Sequence, residues 1–418
     1  MWGLIRAISP SSFSKQSAYA AVDLHRLGRY TPLIIKTTNG GASWQTIING
    51  LPFDEHVSVV RADPVKQGLL YAGTNRGVYI SFDDGGKWQP LSQNLPSACI
   101  TDMLVHQGDL IISTQGRGIW ILDNLSPLRE LSTSTTAKPA HLFEPLPALR
   151  VRGNLNQDTP PPPSTPLGQN PPSGATIDYW LKESAKGPVV MTIRDSAGNI
   201  VHKFTSDQVQ EQLSAKRYFE EGWLGTEKKL STAAGMHRFV WDLRYPRPEA
   251  LSYGYTIAGV WQVGTVAEPE GPLVLPGLYT VTLTVDGTDY SQPLTVKQDP
   301  RVQVGTPELR DQMKLWQAIT VALSEAVVAH GSVSAALDSL KRTDDTKALV
   351  GSLSALKDKD APSLSSVAGV LSGLASTVQN FDGAPTRGQR AVFSEHRQML
   401  DALLVRWKNL KDVLSRMK

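Results

Sequence analysis

Cys99 is the single cysteine in 418 residues. An intrachain disulfide framework and a thiolate zinc site are therefore excluded, since each needs at least two sulfurs. No run of five like charges occurs, and Lys plus Arg outnumber Asp plus Glu by only 42 to 39. The chain thus lacks the basic stripe of a nucleic-acid binder or of a protein that lies on an anionic membrane. Nor does any stretch reach the roughly 18 consecutive apolar residues of a membrane span, so none is expected. The opening "MWGLIRAIS" is a short apolar run broken by Gly3 and Arg6, with no signal-peptide core behind it. P-loop, GxSxG, HExxH and dinucleotide fingerprints are absent, and no cofactor is expected. His25 and His56 are too far apart in sequence for a local metal pair, so no metal site is expected either. Cys99 itself lies on a strand-like segment and is expected in a core.

What is present is repetition. "TTNGGASW" (37–44) returns 44 residues later as "SFDDGGKW" (81–88). Aligning the two tryptophans also aligns "INGLP" with "SQNLP", and "YAGTNRGVYIS" recurs as "IISTQGRGIWIL" with one extra residue. Between the turns, apolar residues alternate with period two and are mostly β-branched or aromatic: "VSVVRAD", "GLLYAGT", "GVYISFD", then "ITDMLVH", "DLIISTQ", "GIWILDN". Four short strands in a unit of about 40–45 residues predict a propeller array.

The turn itself resembles the Asp-box, or bacterial neuraminidase repeat. Thr37, Asn39, Gly41, Ser43 and Trp44 fill its pattern; Ser81, Asp83, Gly85 and Trp88 fill the second copy, with Lys87 departing at the Ser/Thr position. Asp-boxes occur in sialidases, xyloglucanase-type glycosidases, sortilin-like receptors and a photosystem assembly factor. Through "AYAAVDLHR", "YAGTNRGVYISFDDGGKWQPL" and "STQGRGIWILDNLSPLREL" the chain is similar to the C-terminal part of large bacterial Asp-box proteins, sortilin-like propellers labelled glycosyl hydrolases. That resemblance implies a secreted or periplasmic location. Physically, the Asp or Asn accepts backbone N–H groups across a hairpin, the glycines supply positive φ, and the indole covers strand edges. Burying each indole is worth roughly 4–6 kcal/mol at most.

The expected fold is mainly β and multidomain. Residues 1–150 form a partial Asp-box β-propeller of about two and a half blades, entered in mid-blade, with a third, boxless unit over 99–131. A ring needs about 4–8 blades, so the missing ones would come from upstream sequence or another chain. "AHLFEPLPALRV" is expected to add a strand to the propeller. A proline-rich linker follows over 151–173, with four consecutive prolines favouring extended polyproline II. Residues 174–298 alternate again, with turns at "DSAGN" and Asp286–Gly287, and resemble an Ig-like antiparallel β-sandwich. Residues 299–418 are expected to form a helical bundle, capped by Thr306, with Phe393, Met399 or Leu400, Leu403, Trp407, Leu410 and Leu414 on one stripe and Trp316 in the core.

For chemistry, a retaining glycosidase needs two carboxylates flanking the scissile bond, and sialidases a tyrosine nucleophile with an arginine cluster. The propeller segment offers Asp23, His25, Arg26, Asp54, Glu55, His56, Arg61, Asp63, Arg76, Arg117 and Asp123, and they form no recognised motif. Asp54 and Glu55 are the catalytic candidates, on a connection that reaches a propeller face; a solvated loop is the alternative. His56, Arg76 and Arg117 are the binding candidates, the arginines recurring in "GTNRG" and "TQGRG". They would face an anionic sugar or a peptide carboxylate, or else tie down the turn. The function expected is non-catalytic recognition of a protein or carbohydrate ligand. The alternative is a glycoside hydrolase with catalytic residues mostly outside this chain.

Overall fold

The computed structural model describes residues 3–152, 168, 171–209, 229–260, 264–340, 346–358 and 362–416, with the backbone alone at 256–260 and 264. The chain is mostly β, with several sheets and with helices towards its C-terminal part. It divides into two compact units, Met1–Ala137 and Lys138–Lys418. Most of the expected linker lies outside the described residues.

In the first unit, β1 (Leu4–Pro10), β2 (Ala18–Asp23), β3 (Ile34–Thr37) and β4 (Gln45–Thr46) form an antiparallel meander in that order. A second meander comprises β5 (Val57–Ala62), β6 (Leu70–Thr74), β7 (Val78–Ser81) and β8 (Gln89–Pro90). The third sheet has three strands, β9 (Ile100–His106), β10 (Asp109–Thr114) and β11 (Ile119–Leu122), and is followed by α1 (Ser126–Glu130) and α2 (Thr133–Ala137). The expected mid-blade entry is corrected, because β1 completes a four-stranded sheet. Most β1 side chains are exposed and a register shift falls between Ile5 and Ala7, so its apolar residues show no clean alternation.

Period two explains how these sheets stack. In β6, Leu70 and Ala72 join a core with Tyr19, Ile34 and Ile47 of the first sheet. The adjoining Leu69 and the intervening Tyr71 point the other way, into a core with Ile100, Met103 and Leu110 of the third. The middle sheet is thus covered on both faces, and β6 and β7 are buried throughout. The outer sheets keep apolar side chains exposed, Leu4, Ile5, Ile8 and Trp44 in one and Leu104, Ile119 and Ile121 in the other. Cys99 is half-buried at the rim of β9 and not in a core.

Both box turns have the same internal bonds. Thr37 Oγ1 and Ser81 Oγ each accept the N–H of the box glycine, Gly41 or Gly85, at 2.9 Å. Asn39 and Asp83 accept the N–H four residues on, from Ser43 at 2.9 Å and Lys87 at 2.8 Å. Lys87 keeps the backbone bond of that position but not the side-chain one, since in the first turn Ser43 Oγ also accepts from Asn39 Nδ2 at 2.9 Å. The indoles differ, correcting the expectation that both are buried. Trp88 is sealed at 1% exposure and donates from Nε1 to the Ile47 carbonyl of the neighbouring sheet at 2.8 Å, whereas Trp44 is 45% exposed. Gly50, at φ +94°, lets the chain pass against Trp88, where a Cβ would run into the Trp88 carbonyl.

The second unit starts with β12 (Ala140–Leu142) and β13 (Ala148–Arg150), which pair with strands of that unit and not with the sheets before residue 137. This corrects both the boundary at 150 and the extra propeller strand. Then come β14 (Ala175–Leu181), β15 (Val190–Asp195), β16 (Ile200–Thr205), β17 (Gly235–Trp241), β18 (Gly254–Val260), β19 (Gly264–Glu268), β20 (Gly277–Val285) and β21 (Thr288–Gln298). One sheet has the order β12-β14-β17, another β13-β21-β20-β15-β16, and β18 and β19 form a hairpin. The two larger sheets share a core that includes Trp241, Tyr179, Met191 and Leu283. The pairing of β13 with β21 is parallel, so the expected wholly antiparallel arrangement is corrected there.

Helices α3 (Thr306–Ser339), α4 (Lys347–Lys357), α5 (Leu364–Val378) and α6 (Arg387–Arg416) pack around a common core containing Trp316, Leu371, Leu400, Leu403 and Trp407. Phe393, Met399, Leu410 and Leu414 flank it, as the stripe predicts. Gly305, not Thr306, precedes the first helical residue, so the expected threonine cap is replaced by a start one residue earlier. By length and composition α3 is apolar enough to cross a membrane. In the structure it buries Trp316, Ile319, Leu323 and Ala326 against the other helices. A buried ion cluster joins the helical part to the sheets: Asp382 meets Arg150 Nη1 at 2.7 Å and Arg152 Nε at 2.6 Å, with Arg150 and Asp382 1% and 4% exposed. Burial acts against charge on Asp382, but bonds from both guanidiniums hold its carboxyl below the usual range.

Two outcomes follow for stability, both read as urea midpoints by far-UV circular dichroism. Trp88→Ala should cost about 3–5 kcal/mol, whereas Trp44→Ala should cost less than about 1 kcal/mol. Asp382→Asn should cost about 3–5 kcal/mol, because it leaves Arg150 buried without its anion.

Candidate functional site

The β2–β3, β6–β7 and β10–β11 turns occupy the same place in successive meanders, and the connection from β4 to β5 arrives beside them. This edge lies at the opposite strand ends from the box turns. It carries every residue singled out above for catalysis or binding. The backbone repeats its own bonds here: Thr74 N–H reaches Gly77 O at 2.9 Å, and Thr114 N–H reaches Gly118 O at 3.1 Å across the longer turn. Asn75 N–H reaches His56 O at 3.2 Å, and Gln115 N–H reaches Cys99 O at 2.8 Å. His56 and Cys99 are therefore equivalent positions.

The two candidate acids diverge although adjacent in sequence. Glu55 is buried, and one carboxylate oxygen accepts from Thr74 Oγ1 at 2.7 Å and from Tyr79 OH at 3.1 Å. Burial, and then the Glu55 charge, push the Tyr79 phenol up to about 12. Asp54 lies on the surface, paired with Arg76 Nη1 at 2.7 Å. Arg76 thus binds a side-chain carboxylate and not the strand-end carbonyls. Arg117 is exposed, and its carbonyl accepts from Trp120 Nε1 at 2.9 Å. Arg61 and Asp63 are structural: Arg61 holds the Met103 carbonyl and Asp102, and Asp63 holds Tyr71 and Arg129.

The structure also joins residues that sequence spacing separates. Asp23 is buried at the end of β2, and its carboxylate accepts from the backbone N–H of His25 at 2.9 Å. His25 Nδ1 lies 2.6 and 2.7 Å from its two oxygens. Burial opposes the charge, yet these bonds hold the Asp23 carboxyl below its ordinary range. Gly28, in the left-handed region at φ +72°, closes the one-turn helix that aims His25 back at Asp23. His56 stacks on His25 with ring centroids 4.6 Å apart and planes 26° from parallel. Its Nδ1 is sealed from solvent without a hydrogen-bond partner. Burial lowers the His56 pKa against the pull of Asp23. Arg6 Nε stands 4.0 Å from Asp23. The Asp-Leu-His turn was the available signal, but His56 could be placed against it only by knowing that β2 and β5 adjoin.

A separate cavity of about 590 Å3 lies in the second unit, lined by small residues of α5, including Ser366, Ser372 and Ser376, together with Tyr255, Glu268 and His330.

No family model matches the sequence, and no curated protein matches it. Among solved structures it is similar to YCF48 bound to a D1 peptide, at 19% identity over 29% of this chain and 37% of that one, with TM-score 0.23. An ancestral GH74 enzyme matches at 14% identity over 70% of this chain and 35% of that one, TM-score 0.26. The GH74 enzyme of Niastella koreensis matches at 10% identity over 73% and 40%, TM-score 0.24. All three have β-propeller-type folds. The chain spans about two fifths or less of each.

Tyr79 gives the edge a pH signature. Its folded pKa, about 12, stands above the ordinary 10.0 of tyrosine, so the stability it contributes is complete below pH 10 and is lost as pH rises through 12. Tyr79→Phe should flatten the fall in urea midpoint over that window. An unchanged slope would show that Tyr79 titrates as it does in the unfolded chain.

Proposed function

We propose that this chain is part of an exported propeller-type recognition protein that binds a protein or a carbohydrate at the edge carrying His56, Arg76 and Arg117, without catalysis of its own. The observation that carries this reading is the divergence of Asp54 and Glu55. One is engaged by Arg76 at the surface and the other by Thr74 and Tyr79 in the interior, so the pair does not flank a common cleft. Glycoside hydrolysis of the two-carboxylate kind needs two carboxyl groups about 5–9.5 Å apart across open space. The box-bearing meanders, the sealed Trp88 and the exposed outer faces support a partial propeller whose remaining blades come from upstream sequence or another chain. An Ig-like sandwich built on residues 174–298, with β12 and β13 added, and a helical bundle over 299–418 would serve docking.

The test incubates the purified chain with xyloglucan and with sialyllactose while following sugar release, and probes glycan and peptide arrays in parallel. Retention on an array without turnover is expected, weakened at least about threefold by Arg76→Ala or Arg117→Ala, in keeping with loss of one charge-assisted contact. Sugar release abolished by Asp54→Ala would establish the hydrolase instead. Binding to neither array would end the recognition reading.

A further inference from the structure

We propose that Asp23, His25 and His56 form a binding site for a divalent transition-metal ion of the zinc class. One donor atom from each residue lies within 4.8 Å of the other two. Zinc held tetrahedrally at about 2.0–2.1 Å needs donors about 3.3 Å apart. A bound ion would draw the widest pair together and part Asp23 and His25, now 2.6 Å apart. Two imidazoles and one carboxylate make a donor set for zinc and not for calcium or magnesium, which take oxygen ligands.

The strongest single sign is the His56 Nδ1, enclosed and without a partner. A buried ring nitrogen that bonds to nothing is costly, and an ion in the plane of the His56 ring at that nitrogen would satisfy it. The Asp23 carboxylate and His25 Nδ1 already stand side by side, 2.6 Å apart. Arg6 is the opposing charge, 4.0 Å from Asp23, and its partly exposed side chain can turn out to solvent. Three protein ligands leave a fourth position for water or for a donor group of a bound molecule. The site is independent of the recognition reading, since ion binding needs no other ligand.

The experiment uses the whole chain stripped with a chelator, titrated with zinc by calorimetry and with cobalt(II) by its visible absorption. One ion per chain is expected, with the intense bands of four-coordinate cobalt. His25→Gln and His56→Gln should each weaken zinc at least about tenfold while retaining the far-UV spectrum and melting midpoint of the metal-free parent. Arg6→Gln should tighten binding about threefold or more by removing a like charge. If a histidine variant fails to fold, Arg6→Gln decides. Absence of a stoichiometric ion, affinity unchanged in both histidine variants, or affinity unmoved by Arg6→Gln would each overturn the site.

Discussion

The sealed indole of Trp88 is the contact on which the packing of the first two sheets is centred. Trp88 follows the box turn of the second meander, yet its ring belongs to the core of the first, and its donor ends on the Ile47 carbonyl there. The turn's own hydrogen bonds fix the hairpin, and the hairpin fixes where the ring goes. With the first sheet packed on one face of the middle sheet and the third on the other, β6 and β7 are buried on both faces, and the turns at the far strand ends are brought side by side. The edge with His25, His56, Glu55 and Arg76 lies at the other strand ends of the sheets that Trp88 helps to pack together.

The legible parts of the fold were those written in short windows. Alternation in "GLLYAGT" and "GVYISFD" located β6 and β7, and the helical stripe from Phe393 to Leu414 located the buried face of α6. What escaped depends on partners distant in sequence. β1 is an outer strand whose exposed residues and register shift hide its periodicity. The β13 to β21 pairing joins residues nearly 150 positions apart in parallel. Trp44 and Trp88 carry the same local motif, and only the neighbouring sheet distinguishes a buried ring from an exposed one. The same limit applied to the candidate site. His25 and His56 meet because two sheets pack, a fact that no spacing rule contains.

The edge is chemically divided. Its acids are largely committed: Glu55 to Thr74 and Tyr79, and Asp54 to Arg76. Such carboxylates stabilise turns and are poor at moving protons, because a reaction would have to break the bonds that hold them. The imidazole of His56 is the opposite case, with a ring nitrogen uncommitted and shielded from water.

In the second unit, Asp382 follows α5 and is clamped between Arg150 and Arg152, at the end of β13 and just beyond it. A charge-assisted clamp of this kind is short-ranged and stiff, unlike a polar linker that stretches before it transmits anything. Tension on the helices would therefore reach the β-sandwich almost without slack, and the two would move as one lever.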